Sequence, residues 1–300
     1  MSQQMSLFPT KDVSDEKSSL FEGDGNAIDE VFSATHRFRS SREYLRMLQV
    51  ISRFSNYSAF NGFLLFIQNP ELTYVATAGT WRRRFRRDLK PGARPLLILA
   101  PMSPVRFVFD LNDTAGETFP SEGQRQDAAI GGFTEEIFEN TVHNCALHGI
   151  MVRQVETSAR TNGSAVPLCD DVRQKYPELD LDAGMKYLIL LYRDHRLEDK
   201  YRAMAHELGQ IFCGHRGIDR NAWWPDRRKA EPAVAKLEAA SIAFLICRRI
   251  GIFISADRCF ADYQGKDQML PLLGLNAVLQ ATSYIEEMGR SRWQKPRKSR

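Results

Sequence analysis

Apolar positions recur at helical spacing in two stretches within residues 41–69, and the turn and capping residues of SNYS separate them. Pro70 ends the second predicted helix. Short apolar runs typical of strands follow at Leu72–Thr77, Leu96–Ala100 and Val105–Leu111. This order of helices and short strands predicts a small α+β unit with an antiparallel sheet.

The pattern changes after this unit, because Thr114–Ala128 is rich in Gly, Glu and Gln and predicts a linker. The same reasoning then predicts a helix near Phe133–His148, strands at Ile150–Val155 and Tyr187–Tyr192, and helices at Lys200–Gly214, Pro232–Arg249 and Leu275–Met288. We therefore expect an α+β protein divided at about residue 120. Its predicted parts are a disordered leader (1–30), a front half (31–120), a rear half of helices packed on a small sheet (121–289) and a disordered tail (290–300).

Composition removes several classes of protein. The chain has no run of about 18 apolar residues, so no membrane-spanning helix is expected. The first 19 residues lack the apolar core of a secretory signal. The cysteines are scattered, odd in number and in no CxxC pair: Cys145, Cys169, Cys213, Cys247 and Cys259. They predict the reduced thiols of a cytoplasmic protein rather than a disulfide set or a cysteine zinc site.

The net charge of +4 hides a strong asymmetry. Residues 1–30 carry 2 basic and 7 acidic side chains, whereas residues 31–110 carry 13 basic and 4 acidic ones. The remaining residues are balanced, with a basic cluster in the tail. A basic front half attracts polyanions, of which nucleic acid is the usual one, although a solvated surface of high pI is the alternative.

The densest basic segment is Trp81-Arg82-Arg83-Arg84-Phe85-Arg86-Arg87, in which two aromatic residues stand among five arginines. Guanidinium groups neutralise phosphates, and exposed rings stack on unpaired bases without reading their sequence. Alternatively, Trp81 and Phe85 lie four apart and form the buried stripe of a helix, which would still leave the arginines for phosphates. Neither a duplex-reading recognition helix nor a zinc finger is apparent.

The helix at Lys200–Gly214 carries His206-Glu207-Leu208-Gly209-Gln210, one substitution away from HExxH. Residues four apart share a helix face, so positions 206 and 210 could hold one zinc ion while Glu207 acts as general base on a metal-bound water. Gln210 offers only an amide oxygen. Glu238 is the candidate third ligand, because a carboxylate in an otherwise apolar helix needs a partner. His215 lies about 180° from His206 on an unbroken helix, so we expect it at the helix end unless the chain breaks at Gly214.

Residues 200–249 resemble the zinc-peptidase domain of the ImmA/IrrE type, as it is fused in ArdC antirestriction proteins. The matching stretches are KYRAMAHELGQIFCGHRG, WWPDRR and KLEAASIAFLICRRIGI. The resemblance implies a gluzincin-like metallopeptidase fold and a zinc ion, with His206 and Glu238 as ligands and Glu207 as catalytic base. Gln210 stands where the family has its second histidine.

The front half is similar to the single-stranded DNA-binding domain of the same ArdC family. The matching motifs are Tyr57-Ser58, Asn61, Gln68-Asn69-Pro70, Trp81, Lys90-Pro91-Gly92 and Ala100-Pro101. The resemblance implies that single-stranded DNA is the partner. The candidate contacts are Tyr57, Asn61, Lys90 and the segment 81–87. The two resemblances together cover roughly residues 40–290.

Three functions follow. The favoured one is a single-stranded DNA-binding protein, related to antirestriction or mobile elements, whose metallopeptidase-like domain is impaired and which acts by occupying DNA. The alternative is an active zinc metalloendopeptidase that cleaves DNA-associated or regulatory proteins, with its substrate paired to an edge strand at Lys186–Tyr192. The third is a protein-interaction module with incidental basic charge.

Overall fold

The computed structural model describes residues 40–100, 103–120, 132–156, 163–167, 184–217, 223–263 and 267–294. The predicted leader and most of the predicted linker and tail lie outside these residues, so their state stays a prediction. The described part combines helices with small sheets, which confirms the α+β class.

The front half begins with the two predicted helices, α1 (Ser41–Arg53) and α2 (Ala59–Gln68). Each starts at a serine whose side chain accepts a hydrogen bond from a backbone amide three residues on, namely Ser40 from Glu43 and Ser58 from Asn61. A third helix, α3 (Ala78–Phe85), follows and is capped in the same way by Thr77.

Two small antiparallel sheets complete the front half. Strands β1 (Val75–Ala76), β3 (Leu96–Ala100) and β4 (Ser103–Asp110) form one sheet in the order β1-β4-β3. Strand β2 (Arg87–Leu89) pairs with β5 (Thr114–Gly116), and a 3₁₀ turn at Leu111–Asp113 precedes β5. The predicted linker therefore begins later than Thr114, because its first three residues are hydrogen-bonded in a strand.

The rear half has a three-stranded sheet, formed by β6 (Ile150–Val155), β7 (Gly163–Pro167) and β8 (Tyr187–Tyr192). Strand β8 lies between the other two, parallel to β6 and antiparallel to β7. The prediction that this strand is an edge strand was wrong. Its run YLILLY is buried along almost its whole length, as expected for a central strand covered on both faces.

Helices pack around this sheet: α4 (Glu135–Leu147), α5 (Leu197–Phe212), α6 (Pro232–Arg249) and α8 (Leu275–Arg290). A short helix α7 (Ala256–Cys259) and a 3₁₀ turn (Ala261–Tyr263) join α6 to the segment before α8. Helices α5 and α6 pack side by side, and α8 contacts both. None of the helices in the described residues has the length and apolar character needed to cross a membrane.

The two halves share one apolar core, because α1 packs on α6 and α2 on α8. The hydroxyl groups of Tyr44 and Ser241 lie 2.8 Å apart across this contact. Arg249, which is 3% exposed, donates to the carbonyl oxygens of Ile51, Phe54 and Tyr57 and forms an ion pair with Glu286. The front half is therefore anchored to the rear half through a buried polar cluster.

Candidate functional site

Glu238 lies on α6 with a fully buried carboxylate that accepts four hydrogen bonds. Arg227 donates through Nη1 to Oε2 at 2.7 Å and through Nη2 to Oε1 at 2.6 Å. His215 lies 2.8 Å from Oε2 through Nε2, and the backbone amide of Gly274 donates to Oε1 at 2.7 Å. We call these four residues the Glu238 cluster. It joins the chain after α5, the loop before α6, helix α6 and the start of α8.

The hydrogen bonds set the charge of this cluster. Burial by itself opposes ionisation of the carboxyl group, but the bonds from His215 and Arg227 outweigh it. They hold the pKa of Glu238 below its ordinary range. The buried carboxylate therefore forms an ion pair with the partly buried guanidinium. Because a carboxylate oxygen accepts, Nε2 of His215 is assigned as the donor to Oε2.

The turn at Gly214 brings His215 into the cluster. Helix α5 ends at Phe212, and the backbone amides of Gly214 and His215 return to the carbonyl oxygens of Ile211 and Gln210. This is a Schellman cap, and Gly214 has the positive φ of +79° that such a cap requires. The chain therefore breaks at Gly214, and the side chain of His215 bonds Glu238 instead of remaining at the end of α5.

The predicted zinc residues of α5 lie in a different arrangement. Nδ1 of His206 is 3.1 Å from Oε1 of its neighbour Glu207, and Arg216 approaches the other oxygen of Glu207 at 3.9 Å. The amide nitrogen of Gln210 donates to the backbone oxygen of Ala235 at 3.2 Å. The structure thus gives His206 and Gln210 contacts that do not include Glu238, and their joint role as ligands stays a prediction.

One group within the described ranges could hold a metal ion: Cys213, His215 and Glu238, whose ligand atoms all lie within 4.8 Å of one another. All three side chains are buried. Nδ1 of His215 has no hydrogen-bond partner among the described residues. Both oxygens of Glu238 are already bonded to Arg227, however. As arranged, this group offers a zinc ion no free carboxylate oxygen.

The front half places the predicted DNA-binding segment on α3 and β2. Trp81 is fully buried, and its indole nitrogen donates to the carbonyl oxygen of Phe109 on β4 at 2.9 Å. It packs in an aromatic cluster with Tyr74, Phe85 and Phe119. The structure therefore selects the buried helical stripe, and Trp81 is not a surface on which bases stack.

The arginines around Trp81 face solvent to different extents. Arg82, Arg83, Arg84 and Arg86 are exposed, as is Lys90. Arg82 pairs with Asp88 at 2.8 Å and Arg86 with Glu117 at 3.2 Å, both at the surface. Exposed pairs of this kind contribute little and exchange readily for other anions. The guanidinium of Arg87, by contrast, is bonded to Thr114.

Two motif residues of α2 act within the protein. The side-chain amide of Asn61 donates to the carbonyl oxygen of Leu99 and accepts from its backbone amide, both at 2.9 Å. Gln68, seven residues on and on the same helix face, bonds Leu97 in the same way at 2.8 Å. These amides pair the outer backbone groups of β3, which protects a sheet edge. The hydroxyl of Tyr57 likewise donates to Val75.

The outer face of the β3–β4 pair is apolar and exposed. Phe107 is 54% exposed and lies directly opposite Leu97, which is 43% exposed. Leu99 and Val105 lie on the same face at alternate positions and are also exposed. We call these four residues the apolar face. This face was not predicted from the sequence. The alternation in Leu96-Leu97-Ile98-Leu99 could have revealed it, because Leu97 and Leu99 must point outward if Leu96 and Ile98 are buried.

Comparisons with known proteins give a distant likeness. No family model matches the sequence, and no curated protein matches it. Two solved structures of the antirestriction ArdC protein from plasmid R388 are similar. The metal-free form has 12% identity and a TM-score of 0.38 over 79% of this chain and 86% of that chain. The Mn(II)-bound form has 14% identity and a TM-score of 0.40 over 90% and 98%. A likeness this distant does not by itself assign an activity.

Proposed function

We propose that this protein binds single-stranded DNA through its front half and acts by covering the strand rather than by cleaving a substrate. The observation that carries the proposal is the set of exposed arginines on and after α3, namely Arg82, Arg83, Arg84 and Arg86. Burial of Trp81 beneath them fixes the helix, so the guanidinium groups project from a rigid support.

The apolar face supports a single strand rather than a duplex. Trp81 ties α3 to β4 at Phe109, and Phe107 lies two residues, or about 7 Å, along the same strand. Arginines neutralise the phosphates of either form of DNA, but only an unpaired base can stack on an exposed ring such as Phe107. Cationic and apolar surfaces on adjoining elements therefore favour unpaired DNA.

The rear half supports occupancy rather than peptide hydrolysis. Strand β8 is paired on both sides, so it offers no edge for a substrate peptide. The carboxylate of Glu238 is bonded to Arg227 instead of facing an open position. Together with the sequence motifs similar to ArdC antirestriction proteins, these features favour a protein that shields incoming single-stranded DNA of a plasmid or other mobile element.

The test is a salt titration of affinity for a fluorescent oligo(dT) strand and for a duplex of equal length. Replacing Arg82, Arg83 and Arg84 with alanine removes three phosphate contacts. The slope of log K against log salt should then become shallower by about 2, since each contact with a single strand contributes about 0.7. The control replaces three exposed arginines of the rear half, Arg153, Arg193 and Arg196, and should leave the slope unchanged.

Equal slopes for the two triple variants would contradict the role of α3. Tighter binding of the duplex than of the single strand would contradict the choice of ligand.

A further inference from the structure

We infer that the guanidinium of Arg227 occupies the cation position of the Cys213–His215–Glu238 group, so that the rear half neutralises its buried carboxylate internally and folds without a metal ion. This inference is independent of DNA binding by the front half. It concerns a residue to which the sequence motifs assign no role.

The hydrogen bonds of the ion pair occupy both carboxylate oxygens of Glu238. Each oxygen of Glu238 accepts one bond from Arg227 and one further bond, from Gly274 or His215. Four donors use the lone pairs through which a carboxylate would bind a metal. A planar guanidinium matches both oxygens at once, which a single ammonium group cannot do.

Arg227 is held in place at both ends. Its backbone amide donates to the carbonyl oxygen of Gly214 at 3.0 Å, in the turn that also positions His215. Its guanidinium lies against Gly274, where a Cβ atom would come within 2.9 Å of both terminal nitrogens. The absence of a side chain at position 274 therefore leaves the room that the guanidinium fills.

A divalent ion would compete with Arg227 directly. Cys213 and His215 supply sulfur and nitrogen ligands of the kind that zinc accepts, but their shared carboxylate already carries a positive partner. Binding an ion there would either place two cations together in a buried site or expel the arginine from it, and both are unfavourable. Wild-type protein should therefore show no need for metal.

The first measurement is metal content and thermal stability of the full chain purified without chelator. We expect less than about 0.1 zinc or manganese ion per chain, and a melting temperature that EDTA or one equivalent of zinc chloride shifts by less than about 1 °C. Stoichiometric metal, lost on dialysis together with a fall of several degrees, would overturn the inference.

The second measurement is a double-mutant cycle of Glu238→Gln and Arg227→Met, with Arg228→Met as control. Arg228 is the adjacent residue but bonds the exposed side of Asp226, so its loss should leave the melting temperature almost unchanged. Arg227→Met leaves the buried carboxylate without its guanidinium, and Glu238→Gln leaves the partly buried guanidinium without a negative partner. The double variant removes both charges. We expect the melting temperature of the double variant to fall by much less than the sum of the two singles.

Additive losses would refute the inference, because they would show that the two side chains do not act on each other. If the single variants do not fold, soluble expression is the readout. Recovery in the double variant then supports the pair, and failure to recover overturns it.

Discussion

Replacing Gly214 with alanine tests the turn on which the rear site depends. Gly214 has a φ of +79°, and a Cβ atom there would lie 1.8 Å from the carbonyl oxygen of Pro225 and 3.1 Å from the backbone nitrogen of Arg227. The neighbouring segment is backbone and cannot rotate away. It would have to move by more than 1 Å and carry Arg227 with it.

Two terms set the magnitude. Alanine in a left-handed conformation costs about 1–2 kcal/mol. Separating Arg227 from Glu238 leaves the buried carboxylate without its guanidinium, which costs about 3–5 kcal/mol. We therefore expect the free energy of unfolding to fall by about 4–7 kcal/mol, a large share of the 5–15 kcal/mol typical of a folded domain.

Gly92→Ala is the matched control. Gly92 has nearly the same φ, +81°, but a Cβ atom there would meet no other atom within 4 Å, so only the conformational cost of about 1–2 kcal/mol should remain. Urea unfolding followed by circular dichroism measures both variants. If Gly214→Ala costs no more than Gly92→Ala, the close approach of Pro225 to the turn is wrong, and with it the placement of His215 and Arg227.

Two further predictions concern the DNA surface and the joint between the halves. Phe107→Ser should weaken binding of oligo(dT) by about 1–3 kcal/mol without changing the salt slope, because a stacking ring releases no counterions. Fluorescence anisotropy at two salt concentrations measures this. A loss of affinity that is larger at the lower salt concentration would contradict it. Arg249→Met should lower the free energy of unfolding by about 3–5 kcal/mol, since it leaves Glu286 buried and unpaired. Loss of the adjacent, exposed Arg248 should cost about 0.5 kcal/mol or less. Similar losses for the two variants in urea unfolding would refute the role of Arg249 in joining the two halves.

Local pattern predicted the elements well, because the information lies within a few residues. The cap at Ser58 and the apolar spacing of α1, α2, α5 and α6 each involve residues of a single helix, so no distant segment is needed to predict them. The sequence also marks Gly214 as the place where a break would redirect His215. Whether the break occurs, however, depends on neighbouring elements, because the helix cap alone does not determine in which direction the chain continues after Gly214.

The sequence by itself determined the α+β class, most helix and strand positions, and the basic charge of the front half. These depend on periodicity, capping and side-chain type, which act locally. Only the tertiary structure decided that Trp81 is buried, that β8 is a central strand and that Glu238 bonds Arg227. Each of these depends on which distant segment fills the remaining space. A buried carboxylate needs a positive partner, but the sequence does not say whether that partner is a metal ion or an arginine eleven residues away.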